Sequence, residues 1–182
     1  MAYTPRLTSD GILNNPKWYS ENPFYLSGYG MPNCTCYAWG RFWEIADPNN
    51  VGEHRPTLSL SDAKNWYAYT SDGYERGDTP KLGAVICFDY ATTGHVAVVE
   101  EIRDGGEQIV TSNSDYSGTY FYTQVLIRKP TGKYNNGRGD NQGFIYNPYA
   151  DQPTPPTPTD ENKKRKFPFP VAWHHWQNFK RF

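Results

Sequence analysis

The apolar positions of the chain change rhythm twice. Residues 1–32 are rich in Pro, Gly, Asn and Tyr and show little periodicity, which predicts an irregular arm with one short helical turn near Pro16–Ser20. From Cys34 the rhythm becomes helical, and Ala38, Phe42, Ile45 and Ala46 recur on what would be one buried face. Asn33 stands where a side-chain oxygen can cap the first turn, and Asp47-Pro48-Asn49-Asn50 closes the helix. A second helix is expected from Ser59 or Ser61, with Ala63, Trp66 and Tyr67 on its packed side and Ser71-Asp72-Gly73 at its end. Beyond Pro80 the runs become short and β-branched or aromatic: Ala84–Phe88, Val96–Ile102, Gln108–Ser112, Tyr120–Ile127 and Gly143–Tyr146. Asp104-Gly105-Gly106 reads as a hairpin turn between the second and third of these. Helices first, then an antiparallel meander, define an α+β domain in which N-terminal helices pack on a sheet.

Composition refines this picture at the C-terminal end. Residues 151–162 form a Pro/Thr-rich linker, expected to be extended and semi-rigid, and residues 163–182 form a basic aromatic tail beginning Lys163-Lys164-Arg165-Lys166. The organisation expected is therefore an arm over 1–29, a domain over 30–150, the linker and the tail. The charge is divided accordingly. Residues 161–182 hold 6 Lys/Arg against 1 Glu, while residues 1–160 hold 12 Lys/Arg against 18 Asp/Glu. An acidic body gives no electrostatic case for binding nucleic acid. The tail suits an anionic wall or membrane surface, or a docking partner. The 15 Tyr, 9 Phe and 6 Trp suit a β-rich core, with some rings available to line a groove. No run of about 18 apolar residues exists to span a membrane. No basic start leads into an apolar stretch, so synthesis in a host cytoplasm without a signal peptide is expected.

The candidate chemistry centres on Cys34. A thiol in the first turn of a helix feels the positive end of the helix dipole, which favours the nucleophilic thiolate. His95 heads the apolar strand Gly94-His95-Val96-Ala97-Val98-Val99, and a base within reach of a thiol completes the core of a thiol hydrolase. Gly94 lets another backbone or a substrate approach closely. The next strand ends in Ser112-Asn113-Ser114-Asp115, beside the start of the His95 strand if the two form a hairpin. Asn113 and Asp115 share a face there, and either can orient the imidazole. The other cysteines, Cys36 and Cys87, read as core residues. Three cysteines make no disulfide framework, and Cys-x-Cys spacing lacks the paired ligands of a zinc site. Asp72 and Asp78 flank a turn and read as turn residues, with Ca²⁺ the alternative. No cofactor is expected.

Four segments carry a resemblance: Asn33-Cys34-Thr35-Cys36-Tyr37-Ala38, Ala63-Lys64-Asn65-Trp66, Pro80-Lys81-Leu82-Gly83-Ala84-Val85 and Gly94-His95-Val96-Ala97-Val98-Val99. In this order, and over about residues 30–147, the chain resembles the CHAP family of cysteine- and histidine-dependent amidohydrolases/peptidases common in bacteriophage lysins. The resemblance implies a papain-like fold and cleavage of an amide bond in Gram-positive peptidoglycan. It makes Cys34 the nucleophile and His95 the base. The family often has Glu followed two residues later by Asn, so at Asn113 and Asp115 the amide and acid are exchanged. Cys36 stands where the family usually has an aromatic residue. A free phage lysin is the leading expectation. The alternatives are a virion structural protein, held to phage tail proteins through residues 163–182 and cutting the wall for genome delivery, and a non-catalytic wall-binding or assembly module. An unreactive, high-pKa Cys34 thiol is the mark of the last.

Overall fold

The computed structural model describes residues 3–10, 12, 16–49 and 52–150. The linker and the basic aromatic tail, with the partners expected of them, lie outside the described residues. Helices α1 (Pro16–Ser20), α2 (Pro23–Leu26) and α3 (Cys34–Ala46) precede the strands β1 (Arg76–Gly77), β2 (Val85–Phe88), β3 (His95–Arg103), β4 (Gln108–Asn113), β5 (Tyr122–Ile127) and β6 (Asn141–Ile145). The strands make one antiparallel sheet in the order β1-β6-β2-β3-β4-β5. The expected meander is present from β2 to β5. The last strand departs from it, since β6 crosses back to lie between β1 and β2.

Both faces of the central strands are covered, which is why they read as continuous apolar runs. Val85, Cys87, Val96 and Val98 pack toward α3 in one cluster. Ile86, Phe88, Ala97, Val99, Ile109 and Leu126 fill a second cluster with Tyr134 and Phe144. Residues 95–99 of β3 are buried without interruption.

Helix α3 is also covered more fully than a one-faced helix. Every residue from Cys34 to Trp43 is buried, because the N-terminal segment packs over its outer side. Tyr19 stacks on Tyr37 at 6.4 Å, and Asn22 Nδ2 donates to the Cys36 carbonyl at 2.9 Å. Gly40 lets α1 lie close: a Cβ there would sit 2.6 Å from the Tyr19 ring. The short helical turn expected at Pro16–Ser20 is α1. The second turn, α2, follows directly and is capped by Asn22, whose side chain accepts from Phe24 N at 3.0 Å.

The second helix expected from Ser59 or Ser61 does not form as an α-helix. Two separate 3-10 turns, Ala63–Asn65 and Thr70–Asp72, take its place. Trp66 is fully buried and its Nε1 donates back to the Ser61 carbonyl at 3.0 Å. The Arg76 guanidinium meanwhile binds the carbonyls of Trp66, Tyr67 and Tyr69. Those are acceptors that a continuous helix would need for its own N–H groups.

Candidate active site

Cys34 is the first residue of α3, and the local sequence explains its placement. Asn33 caps the helix: its Oδ1 accepts from Thr35 N at 2.9 Å and more weakly from Cys36 N at 3.4 Å, and also from Thr35 Oγ1 at 2.7 Å. The backbone N–H of Asn33 donates to Ser114 Oγ at 3.0 Å, which ties the helix tip to the end of β4. The sulfur therefore lies against the head of β3, with the backbone N–H groups of Val96, Thr35 and Cys34 itself turned toward it. Those donors favour thiolate, as the helix dipole does. Burial opposes them and prevails, pushing the Cys34 thiol up to about 11. The thiolate expected from the helix tip alone is thus not the resting form, because desolvation of a buried anion outweighs three N–H groups.

His95 opens β3 opposite Phe88 of β2. Its ring is buried beside Phe88 and Tyr90, with centroids at 6.3 and 6.5 Å. Nε2 lies 3.1 Å from Asn113 Oδ1. The Asn113 amide is fixed from behind, since its Nδ2 donates to the Thr111 carbonyl at 3.1 Å and to Thr111 Oγ1 at 3.0 Å. An amide whose nitrogen is engaged there presents its oxygen to the ring. Nε2 must then carry the proton, and Nδ1 keeps its lone pair. Asp115 sits on that other side, with Oδ1 3.8 Å from Nδ1. Burial pushes the His95 imidazolium below its ordinary 6.5, against the opposing effects of Asn113 and Asp115, while Arg138 pushes in the same direction as burial.

The structure thus brings His95, Asn113 and Asp115 together and gives the last two separate places: Asn113 at Nε2 and Asp115 at Nδ1. It also supplies residues that the sequence did not single out. Tyr122 Oη donates to Asp115 Oδ1 at 3.1 Å. Arg138 Nη2 lies 3.8 Å from Asp115 Oδ2, with its guanidinium 5.9 Å from the Tyr90 ring centre. With Thr119, Gln124 and Asn136, these side chains line a cleft of about 300 Å³. The turn Asn135-Asn136-Gly137 was a readable signal, but nothing in the local sequence says that Arg138 faces Asp115. A larger cavity of about 430 Å³ lies between the N-terminal segment and α3, beside Arg41 and Glu44, and contains none of the candidate catalytic side chains.

The other candidates are not brought to this site. Cys36 and Cys87 are free, buried thiols on α3 and β2, and burial pushes the Cys36 thiol up to about 12. Asp72 is held by Arg76 at 2.7 Å and Asp78 by Lys133 at 2.9 Å, so each carboxylate already faces its own cation. Among the described residues no group of three His, Cys, Asp or Glu side chains clusters as a metal site.

Comparison with known proteins identifies the family. Residues 24–115, just over half of the chain, match the CHAP domain family, and the chain belongs to that family. Two curated relatives come from Staphylococcus aureus (strain NCTC 8325 / PS 47). A probable autolysin, SsaALP, is 27% identical over 118 residues, covering 64% of this chain and 40% of the relative. The staphylococcal secretory antigen SsaA is 27% identical over 130 residues, covering 70% and 46% respectively. The chain therefore spans less than half the length of these relatives. A solved structure, the crystal structure of Ly7917, superposes with a TM-score of 0.45 at 14% identity, covering 66% of this chain and 55% of that one.

Proposed function

We propose that this domain is a cysteine-dependent hydrolase that cuts an amide bond of bacterial peptidoglycan. The observation that carries the reading is the fixed His95 ring: Asn113 holds Nε2–H, so the basic nitrogen is Nδ1. Burial keeps both thiol and imidazole neutral at rest. The reaction then begins with transfer of the Cys34 proton to His95 Nδ1 as the sulfur attacks the carbonyl carbon. The Cys34 backbone N–H, at the tip of α3 and outside the Asn33 cap, is available to the oxyanion that develops. His95 returns the proton to the leaving nitrogen, the C–N bond breaks, and a thioester remains on Cys34. Water, deprotonated by His95, attacks the thioester and releases the acid and the thiol. Asn113 stays hydrogen-bonded to Nε2 throughout, and the Asp115 carboxylate stabilises the transient imidazolium.

Cys34→Ala tests the assignment. The variant is expected to keep the thermal transition of the parent and to release no new amino termini from purified Gram-positive walls. Release at the parental rate would sink the nucleophile assignment. Mass spectrometry of the parental products identifies the bond: a new N-terminal alanine from the glycan-linked end marks an amidase, and a new terminus within the stem or cross-bridge marks an endopeptidase.

One observation favours a second reading. A buried thiol pushed up to about 11 is what a non-catalytic wall-binding module would also show. Under that reading Cys34→Ala changes neither wall binding nor product release, because there is no release to lose.

A further inference from the structure

We propose that the cleft beside His95 is a carboxylate-reading subsite, in which Arg138 binds an anionic carboxylate of the peptidoglycan stem peptide close to the scissile amide. This rests on the hydrolase reading above and names a substrate feature that it leaves open.

The position comes first. Asp115 belongs both to the cleft and to the Nδ1 side of His95, so whatever fills the cleft adjoins the reacting atoms. Arg138 is placed there by its loop. Asn136 Oδ1 accepts from Arg138 N at 3.1 Å and from Gly139 N at 3.2 Å, while Asn135 Oδ1 accepts from Gly137 N at 2.8 Å. Gln124 Nε2 pins the same loop through the Asn136 carbonyl at 3.1 Å. Gly139 allows the loop to lie against Tyr90, since a Cβ there would be 3.3 Å from Tyr90 Cβ.

The guanidinium is then poised but underused. Its distance of 3.8 Å to Asp115 is too long for the paired N–H···O bonds that an arginine makes with a carboxylate. Tyr122 already donates to that carboxylate. One side of the guanidinium faces the Tyr90 hydroxyl, but the Arg138 side chain is 61% exposed, so the remaining N–H donors are open to solvent and an incoming ligand. Planar, two-pronged donation suits a carboxylate, and the stem peptide carries carboxylates on its acidic residue and at its C-terminus. The body of the protein is acidic, so a cation set in a cleft beside the base is not part of a general anion-attracting surface. Asp115, less exposed than Arg138, repels an anion, so a carboxylate is received on the side of Arg138 turned away from it.

Occupancy would also affect the base. Arg138 disfavours the His95 imidazolium. A carboxylate seated on Arg138 offsets that charge, so His95 accepts the Cys34 proton more readily when the correct peptide is bound.

The experiment uses soluble muropeptide pairs and measures kcat/KM for product release. One pair differs only in whether the acidic residue of the stem carries a free carboxylate or a carboxamide, and the other differs in the same way at the C-terminus. For one of the pairs the wild type is expected to favour the acid by about 10–100-fold, the range of a charge-assisted hydrogen-bond pair. In Arg138→Gln the acid-to-carboxamide ratio for that pair falls to about one, and Arg138→Lys keeps part of it. A wild type that treats acid and carboxamide alike in both pairs overturns the proposal, as does a ratio unchanged in Arg138→Gln. If the wild type releases product from no muropeptide and no wall, the hydrolase reading itself fails, an outcome distinct from lost discrimination in an active enzyme.

Discussion

At the residue scale, two side chains act on His95 with opposite signs. The imidazole can take the Cys34 proton only while neutral, that is, above its pKa. Burial pushes that pKa below 6.5, so the acid limb of a kcat/KM profile should fall below pH 6.5. Asp115 favours the imidazolium and Arg138 disfavours it. Asp115→Asn should therefore move the limb to lower pH and Arg138→Gln to higher pH. A limb unmoved in both variants would show that neither charge is felt at the ring. Asn113 acts differently, because it fixes the tautomer. Asn113→Ala frees the ring to turn and should lower kcat on the order of 10²-fold with a smaller change in KM. Cys34 gives an independent check. With its thiol pushed up to about 11, alkylation by iodoacetamide should accelerate steadily through the alkaline range. A plateau already reached at pH 6 would instead indicate a standing thiolate–imidazolium pair.

At the scale of elements, the start of α3 and the start of β3 are each fixed by one residue. Asn33→Ala removes the cap and leaves the Thr35 and Cys36 N–H groups without their acceptor. A loss of about 1–2 kcal/mol in chemical denaturation is expected, together with a lower kcat because Cys34 rides on the first turn. Gly94 has φ +71, and a Cβ there would meet Phe88 O at 2.5 Å and Lys64 N at 2.6 Å. The close approach expected beside His95 is thus made by backbone of β2 and of the Ala63–Asn65 turn. Gly94→Ala should cost about 1–3 kcal/mol and displace the His95 ring, read as a lower melting temperature with reduced activity. These two elements were legible because their signals are local: a cap beside a helical repeat, and β-branched runs between Gly-rich turns. Residues 59–73 misled for the converse reason. Their apolar spacing suits a helix, but Arg76, beyond the segment, takes the carbonyls that a helix would use. The sign of the Cys34 shift was hidden in the same way, since the dipole is local and the burial is tertiary. Tyr90 reaches His95, and Arg138 and Tyr122 reach Asp115, only once distant segments of the chain are folded against the sheet, and no spacing in the sequence encodes that meeting.

At the scale of the whole molecule, one buried carboxylate joins the parts that carry the site. Glu100 on β3 is fully buried. It accepts from Tyr3 Oη at 2.6 Å, Arg6 N at 2.8 Å, Arg41 Nε and Nη2 each at 3.0 Å, and Ser112 Oγ at 2.7 Å. Those donors come from the N-terminal arm, α3 and β4. Arg41 also pairs with Glu44 at 3.0 Å, and Arg6 pairs with the same carboxylate. Two acids thus balance two arginines, with Glu100 itself shut off from water. Replacing Glu100 by Gln keeps the shape but leaves one positive charge in excess in that interior. The expected loss is about 3–5 kcal/mol in chemical denaturation, toward the lower end because Glu44 still compensates Arg41. Removing both charges in Arg41→Met/Glu100→Leu takes away the imbalance and should recover part of that stability. A Glu100→Gln variant within about 0.5 kcal/mol of the parent, the range of an ordinary surface substitution, would show that the cluster does not hold the fold together. Activity provides the second measurement. Ser112 precedes Asn113, and in Glu100→Gln one accepting oxygen stands where Glu has two, so competition among its donors should weaken the Ser112 contact and loosen the Asn113 amide at Nε2. Glu100→Gln should then lower kcat at temperatures where the variant remains fully folded, linking a charge five residues along β3 from His95 to the tautomer of the base.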